Sequence, residues 1–135
     1  MFVDASAIVA ILTFENEKEQ FEILLQQAEK ILSSAISVYE ATLAVARKFD
    51  CPFHVAEASV KQFVDDAEAE IVPITQDVGA YAIAAFALYG KTRHKAALNM
   101  GDCFSYACAK LHQVPLLCKG NDFIHTDIKI AERAP

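Results

Sequence analysis

No apolar run in this chain approaches the ~20 residues needed to cross a bilayer. The N-terminus opens directly on Met1-Phe2-Val3-Asp4, without a charged stretch leading into a long apolar one. Neither a membrane span nor a signal peptide is expected, and the chain reads as cytoplasmic. The four cysteines, Cys51, Cys103, Cys108 and Cys118, form no C-x-x-C pair and meet no His-x-x-x-His partner, which argues against structural zinc. Cys108 and His112 lie one helical turn apart, but a packed thiol beside a surface imidazole explains them better than a shared metal. The chain also lacks a G-x-G-x-x-G after its first apolar run, a G-x-x-x-x-G-K and a G-x-S-x-G. Those absences exclude a dinucleotide site, a P-loop and a nucleophile elbow. Positive charge is scarce too: 12 Lys and Arg stand against 18 Asp and Glu, for a net charge of -6. Bulk attraction to nucleic acid is therefore absent, and any such contact must come from a local basic patch or a bound metal.

What is present describes a compact domain. At 135 residues, 54% of them apolar, the chain is long enough to bury a core, and a single domain over 1–135 is expected. Strand-like apolar runs fall at Met1 to Val3, Ile31 to Ile36, Glu70 to Ile74, Val114 to Cys118 and, weakly, Asp127 to Ile130. Helical periodicity fills the intervals, over Ala5 to Leu12, Glu17 to Glu29, Ser37 to Phe49, His54 to Ala67, Thr75 to Tyr89 and Cys103 to His112. This alternation predicts an α/β fold, a mostly parallel central sheet with helices on both faces. No internal repeat or low-complexity linker interrupts it. Thr75 to Tyr89 is apolar nearly all round, so it is either deeply buried or half-buried against a partner subunit. The longest polar segment runs from Lys91 to Gly101 and carries Lys91, Arg93, His94 and Lys95.

Four acidic residues stand where strands or helices begin or end, or where nothing polar is expected. Asp4 closes the first apolar run, and Asp102 opens a helix. Asp122 follows the run Val114 to Cys118 and the turn-like Gly120-Asn121. Glu40 sits among Ile36, Val38, Tyr39, Ala41 and Leu43. In open parallel sheets the ligand crevice lies beyond the carboxyl ends of the strands, where carboxylates distant in sequence can converge. Like charges gathered at ~4 Å repel by ~4 kcal/mol per pair at an effective dielectric of 20, so protons or a cation must compensate them. Oxygen-only ligands favour Mg2+ or Mn2+ over zinc, and such ions can clamp a phosphodiester for in-line attack by water. Simpler readings compete. Asp4 and Asp102 each make good helix caps, with Ser6 able to take a similar local role, and Ser37 with Glu40 matches a capping box.

The blocks Phe2-Val3-Asp4-Ala5-Ser6-Ala7, Ser37-Val38-Tyr39-Glu40, Leu98-Asn99-Met100-Gly101-Asp102-Cys103-Phe104 and Gly120-Asn121-Asp122-Phe123 resemble the PIN-domain nucleases. Within them the chain looks most like the VapC toxins of type II bacterial toxin–antitoxin pairs, over its full length and in order. The resemblance implies a PIN-like α/β/α sandwich and a Mg2+- or Mn2+-dependent endoribonuclease that cleaves RNA through metal-activated water. It further implies a homodimer neutralised by a VapB-type antitoxin. Asp4, Glu40 and Asp102 match the three core acidic positions and Asp122 the fourth, more variable one. Asn121 lies in the same block as Asp122. Thr126-Asp127 matches the family's Thr-Asp tail, with Asp127 an outer member of the site. Gly90 to Ala96 resembles a block usually written with Gly and Pro where Thr92 and Lys95 stand here, which leaves the shape of that loop open.

A haloacid-dehalogenase-type phosphatase would need a second Asp where Ser6 stands. His94 and His125 have no visible Ser or Cys partner and read as RNA contacts or surface residues rather than catalysts. Lys91, Arg93, His94 and Lys95 are the expected RNA-binding residues, with Lys119 a further candidate. The other reading of the chain is a PIN-like protein-binding module without nuclease activity, against which stands the filling of all four acidic positions.

Overall fold

Four short strands build the sheet: β1 (Phe2–Val3), β2 (Leu32–Ser34), β3 (Glu70–Val72) and β4 (Leu116–Leu117). All pairings are parallel and the order is β3-β2-β1-β4, with Phe2 opposite Leu32 on one side and Leu116 on the other. The computed structural model describes residues 1–132; residues 133–135 of the expected domain lie outside them. Successive strand residues point to opposite faces of the sheet. Phe2, Leu32, Val72 and Leu116 therefore join one core, and Val3 and Leu117 the other. The first core is covered by α5 (Gln76–Tyr89) and α6 (Met100–Leu111). The second is covered by α1 (Ala5–Leu12), α2 (Lys18–Gln27), α3 (Ala35–Phe49) and α4 (Phe53–Asp66). The expected α/β sandwich is what forms.

The strand order positions the site. The chain steps outward from β1 to β2 to β3, then returns past β1 to lay β4 on its far side. The connections reverse between β1 and β4, which opens a crevice beyond the carboxyl ends of those two strands. Asp4 follows β1 directly, and the segment Cys118 to Asp122 follows β4.

Several expectations are corrected. Ser37 and Glu40 form no capping box. Ser34, still extended at φ -139° and ψ 162°, ends β2 and caps α3 by accepting the Ser37 N–H at 3.2 Å. The helix thus starts at once, and Glu40 lies in its second turn, free of any capping duty. Helix α6 starts at Met100 rather than Cys103 because Asn99 and Asp102 form a reciprocal capping box, with bonds of 2.9 and 3.1 Å. The fifth expected strand, Asp127 to Ile130, shrinks to one parallel bridge between Ile130 and Leu116. The polar segment from Lys91 is the loop expected of it as far as Asn99, with a compact shape: Gly90 bridges Leu98, and backbone bonds from Arg93 and His94 to the Gly90 carbonyl close it into turns. Thr92 sits there at φ 72°, the left-handed region that favours glycine. Cys108 is wholly buried and His112 exposed, as expected of a core thiol and a surface imidazole. Among the described residues no helix is long and apolar enough to cross a membrane.

Candidate active site

Asp4 is the most constrained of the four acids. It is only 5% exposed, yet both carboxylate oxygens are satisfied. Oδ2 accepts the Ser6 N–H at 3.0 Å and the Ser6 hydroxyl at 2.6 Å, and Oδ1 accepts the Ser105 hydroxyl at 2.6 Å. The cap expected of Asp4 on α1 is made, and it coexists with the contact across the sheet to α6. Ser6 in turn accepts the Lys119 N–H at 2.9 Å, which ties the segment after β4 to the start of α1. Ser37 continues the chain of hydroxyls, 3.5 Å from Ser105.

Glu40 and Asp102 carry the electrostatic strain. Burial, then the charges of Asp4 and Asp102, raise the Glu40 carboxyl to about 7, with no hydrogen bond among the described residues to favour its anion. Burial likewise raises Asp102 to about 6, assisted by Asp4 and Asp122 and opposed by the Asn99 N–H. The Cys118 thiol is pushed up to about 12, chiefly by burial and then by the charges of Asp4, Asp102 and Asp122. It is therefore no nucleophile at neutral pH. Gly101 leaves room for the Glu40 carboxylate. A Cβ there would fall 2.1 and 2.3 Å from its two oxygens, so a larger residue would push the Glu40 side chain aside.

The acids act on one another without closing into a ligand cage. Among the described residues, no three His, Cys, Asp or Glu side chains stand close enough to hold a metal ion as placed. In chemistry the set still fits a hard divalent cation: every donor is a carboxylate oxygen, and two of the carboxyls resist ionisation where a positive charge would favour it.

The remaining candidates separate from this cluster. Asp122 and Asn121 are exposed, on the turn that leads into the 3-10 helix Phe123–His125. Thr126 closes that turn, donating its hydroxyl to the Phe123 carbonyl at 2.7 Å and accepting the Ile128 N–H at 3.2 Å. Asp127 faces the later turns of α6, where Tyr106 donates to it at 2.5 Å and Lys110 pairs with it at 2.8 Å. Those bonds hold its carboxyl below the usual range although burial acts the other way. Arg93 lies over the Phe86 ring at 5.9 Å, and His94 stacks edge-on against Tyr89 at 5.2 Å while its Nδ1 accepts the Ala96 N–H. Lys91 and Lys95 are exposed on the same turns.

Residues 1–129 match the family model described as PIN domain. The chain belongs to that family. Over 128 residues it is 40% identical to ribonuclease VapC30 of Mycobacterium tuberculosis, with 95% of each chain covered. It is 41% identical over 139 aligned positions to VapC ribonuclease R02377 of Rhizobium meliloti, covering 94% of this chain and 98% of that one. In fold it resembles the crystal structure of M. tuberculosis VapC20, described as a sarcin–ricin loop cleaving toxin, with a TM-score of 0.77 at 16% identity over 98% of both chains. It also resembles a chain of a toxin–antitoxin complex from Klebsiella pneumoniae, with a TM-score of 0.66, 20% identity, and 90% and 88% of the two chains covered.

Two residues of this PIN domain escaped sequence reasoning. Ser105 lies three residues after Asp102, hence on the same face of α6, and that spacing was the available signal. Gly101 stands beside Asp102 in plain view, but its role depends on Glu40 approaching from another helix.

Proposed function

We propose that this PIN domain is a VapC-type endoribonuclease toxin that hydrolyses RNA phosphodiesters with Mg2+ or Mn2+ held by Asp4, Glu40, Asp102 and Asp122, under restraint by a VapB-type antitoxin. The observation that carries the reading is the mutual electrostatic action of these carboxylates at the switch point between β1 and β4. A bound divalent ion would supply charge neutralisation and water activation. The chain's own residues do the rest. Ser6 and Ser105 fix the Asp4 carboxylate, Gly101 leaves room for Glu40, and the Asn99–Asp102 box sets the first turn of α6. In this reading water attacks the phosphorus and the P–O3′ bond breaks, so the products carry 5′-phosphate and 3′-hydroxyl ends.

We further propose a C2 homodimer that covers the outer face of α5, where Ile83 is 74% and Leu88 61% exposed.

Thermal melts and product analysis test the proposal together. Mn2+ or Mg2+ should raise the melting temperature and Asp4→Asn should cancel most of the rise, because a ligand at one hundred times its Kd stabilises by about 2.7 kcal/mol. Asp102→Ala should abolish cleavage without unfolding the protein. Products ending in 2′,3′-cyclic phosphate would overturn the hydrolytic reading. Failure of divalent ions to move the melt, with no cleavage of any RNA, would leave a protein-binding module.

A further inference from the structure

Helix α3 carries a second polar group on the face that presents Glu40. Glu40, Ala44 and Arg47 recur at i, i+4 and i+7, and all three line one cleft of about 410 Å³ between α3 and α1. Ser6 and Val9 form its opposite wall, with Glu15 and Lys119 also lining it. Along the helix axis Arg47 stands about 10 Å from Glu40, seven residues at 1.5 Å each.

The cations around this cleft differ in how they are committed. Lys119 pairs with both Glu15 and Glu17, and Lys48 pairs with Glu15 at 2.7 Å. These lysines hold the Glu15 carboxyl down to about 2, so it is ionised and compensated from two sides. Arg47 is exposed and has no ion-pair partner among the described residues. With Arg93 laid over the Phe86 ring, Arg47 is the uncommitted guanidinium in the cleft that reaches Glu40.

We propose that Arg47 binds the RNA backbone, taking a phosphate one or two nucleotides from the scissile one and threading the strand through the α1–α3 cleft. The inference rests on the ribonuclease reading above. A guanidinium fork suits the paired oxygens of a phosphate. An acidic peptide in the same cleft would run its carboxylates into Glu40 and Asp4, whereas a polynucleotide meets those acids through the divalent ion its cleavage uses. Lys48 and Lys119 keep Glu15 from opposing the strand.

The test is fluorescence anisotropy of a labelled single-stranded RNA across a salt series in Ca2+, a hard divalent ion that keeps the acids compensated, with gels confirming that the RNA stays intact, beside cleavage assays in Mn2+. Arg47→Ala should weaken binding about five- to tenfold at low salt and lower the salt slope by about 0.7. Arg47→Lys should recover most of the slope and only part of the affinity, since it restores charge without the fork. Lys61→Ala, an exposed change on α4, serves as the control and should change neither quantity. Equal affinity and slope for the Arg47→Ala and Lys61→Ala proteins, in a chain that still cleaves RNA, would overturn the cleft and leave the ribonuclease reading standing. Arg47-dependent binding without cleavage by the unmodified protein would do the reverse. Unchanged RNA affinity with lost inhibition by the antitoxin would assign Arg47 to the protein partner and overturn the proposal.

Discussion

Replacing Glu40 by Gln should stabilise the metal-free protein at pH 8 and leave it nearly unchanged near pH 5. The Glu40 carboxyl is raised from 4.5 to about 7, chiefly by burial and then by Asp4 and Asp102. A folded-state value above the unfolded one means that the native protein binds the extra proton between those limits. The stability contributed by protonated Glu40 is therefore complete below about pH 4.5 and lost as pH rises through about 7. At 1.36 kcal/mol per pH unit the full rise corresponds to about 3 kcal/mol. Glu40 is only half-buried, and solvent screening reduces this to about 1–2 kcal/mol. For a chain of this size that is about 3–8 °C in melting temperature. Gln keeps the shape beside Gly101 and cannot ionise, so the variant should lose this part of the pH dependence, with Asp102, raised to about 6, leaving a smaller residue of it. The assay is a pair of melts in chelator at pH 5 and pH 8, repeated with Mn2+. Excess Mn2+ should reverse the order, because the unmodified protein gains a ligand that Gln offers poorly. A Glu40→Gln protein no more stable than the parent in chelator at pH 8 would refute the claim that the ionised Glu40 carboxylate is held at a cost, set first by burial and then by Asp4 and Asp102.

Ser105→Ala removes the 2.6 Å bond to Asp4 Oδ1, and urea unfolding should show a loss of about 1–2 kcal/mol together with weaker divalent-ion affinity. Thr92→Gly should stabilise by about 0.5–1 kcal/mol, since a β-branched residue at φ 72° holds strain that glycine lacks; a destabilised variant would show that the turn tolerates Thr92. Ile83→Glu with Leu88→Glu on the exposed face of α5 should convert a dimer to a monomer in sedimentation, and a parent that is already monomeric would remove the interface.

The pattern of alternating strands and helices was legible because each short strand lies in or beside a short apolar run, while every helix but the broadly apolar α5 carries an apolar stripe. Asp4 and Asp102 were legible for a related reason: they sit at element ends, which local sequence marks. Glu40 stood out as a carboxylate in an apolar stretch, although its capping box with Ser37 was an error of one turn, because β2 passes straight into α3 at Ser34. Asp127 to Ile130 read as a strand but pairs through a single bridge, since its register depends on where the turns after Asp122 release the chain. The basic character of Lys91 to Lys95 is legible in the sequence, whereas the turns of its backbone and the packing of Arg93 and His94 on aromatic rings are not.

The sequence by itself determined the strand and helix alternation, the four acidic positions, the buried Cys108 and the absence of a structural zinc motif. These are properties of composition and of periodicity within one element, and each requires only neighbours a few residues away. The tertiary structure alone decided that β4 lies beside β1, that Ser105 bonds Asp4 across 101 residues of chain, and that Gly101 is small so that Glu40 can approach. It also decided that Lys119 and Lys48 are spent on Glu15 while Arg47 is not. Each of these depends on which side chains from different elements meet at one sheet edge, and no local pattern encodes that distance.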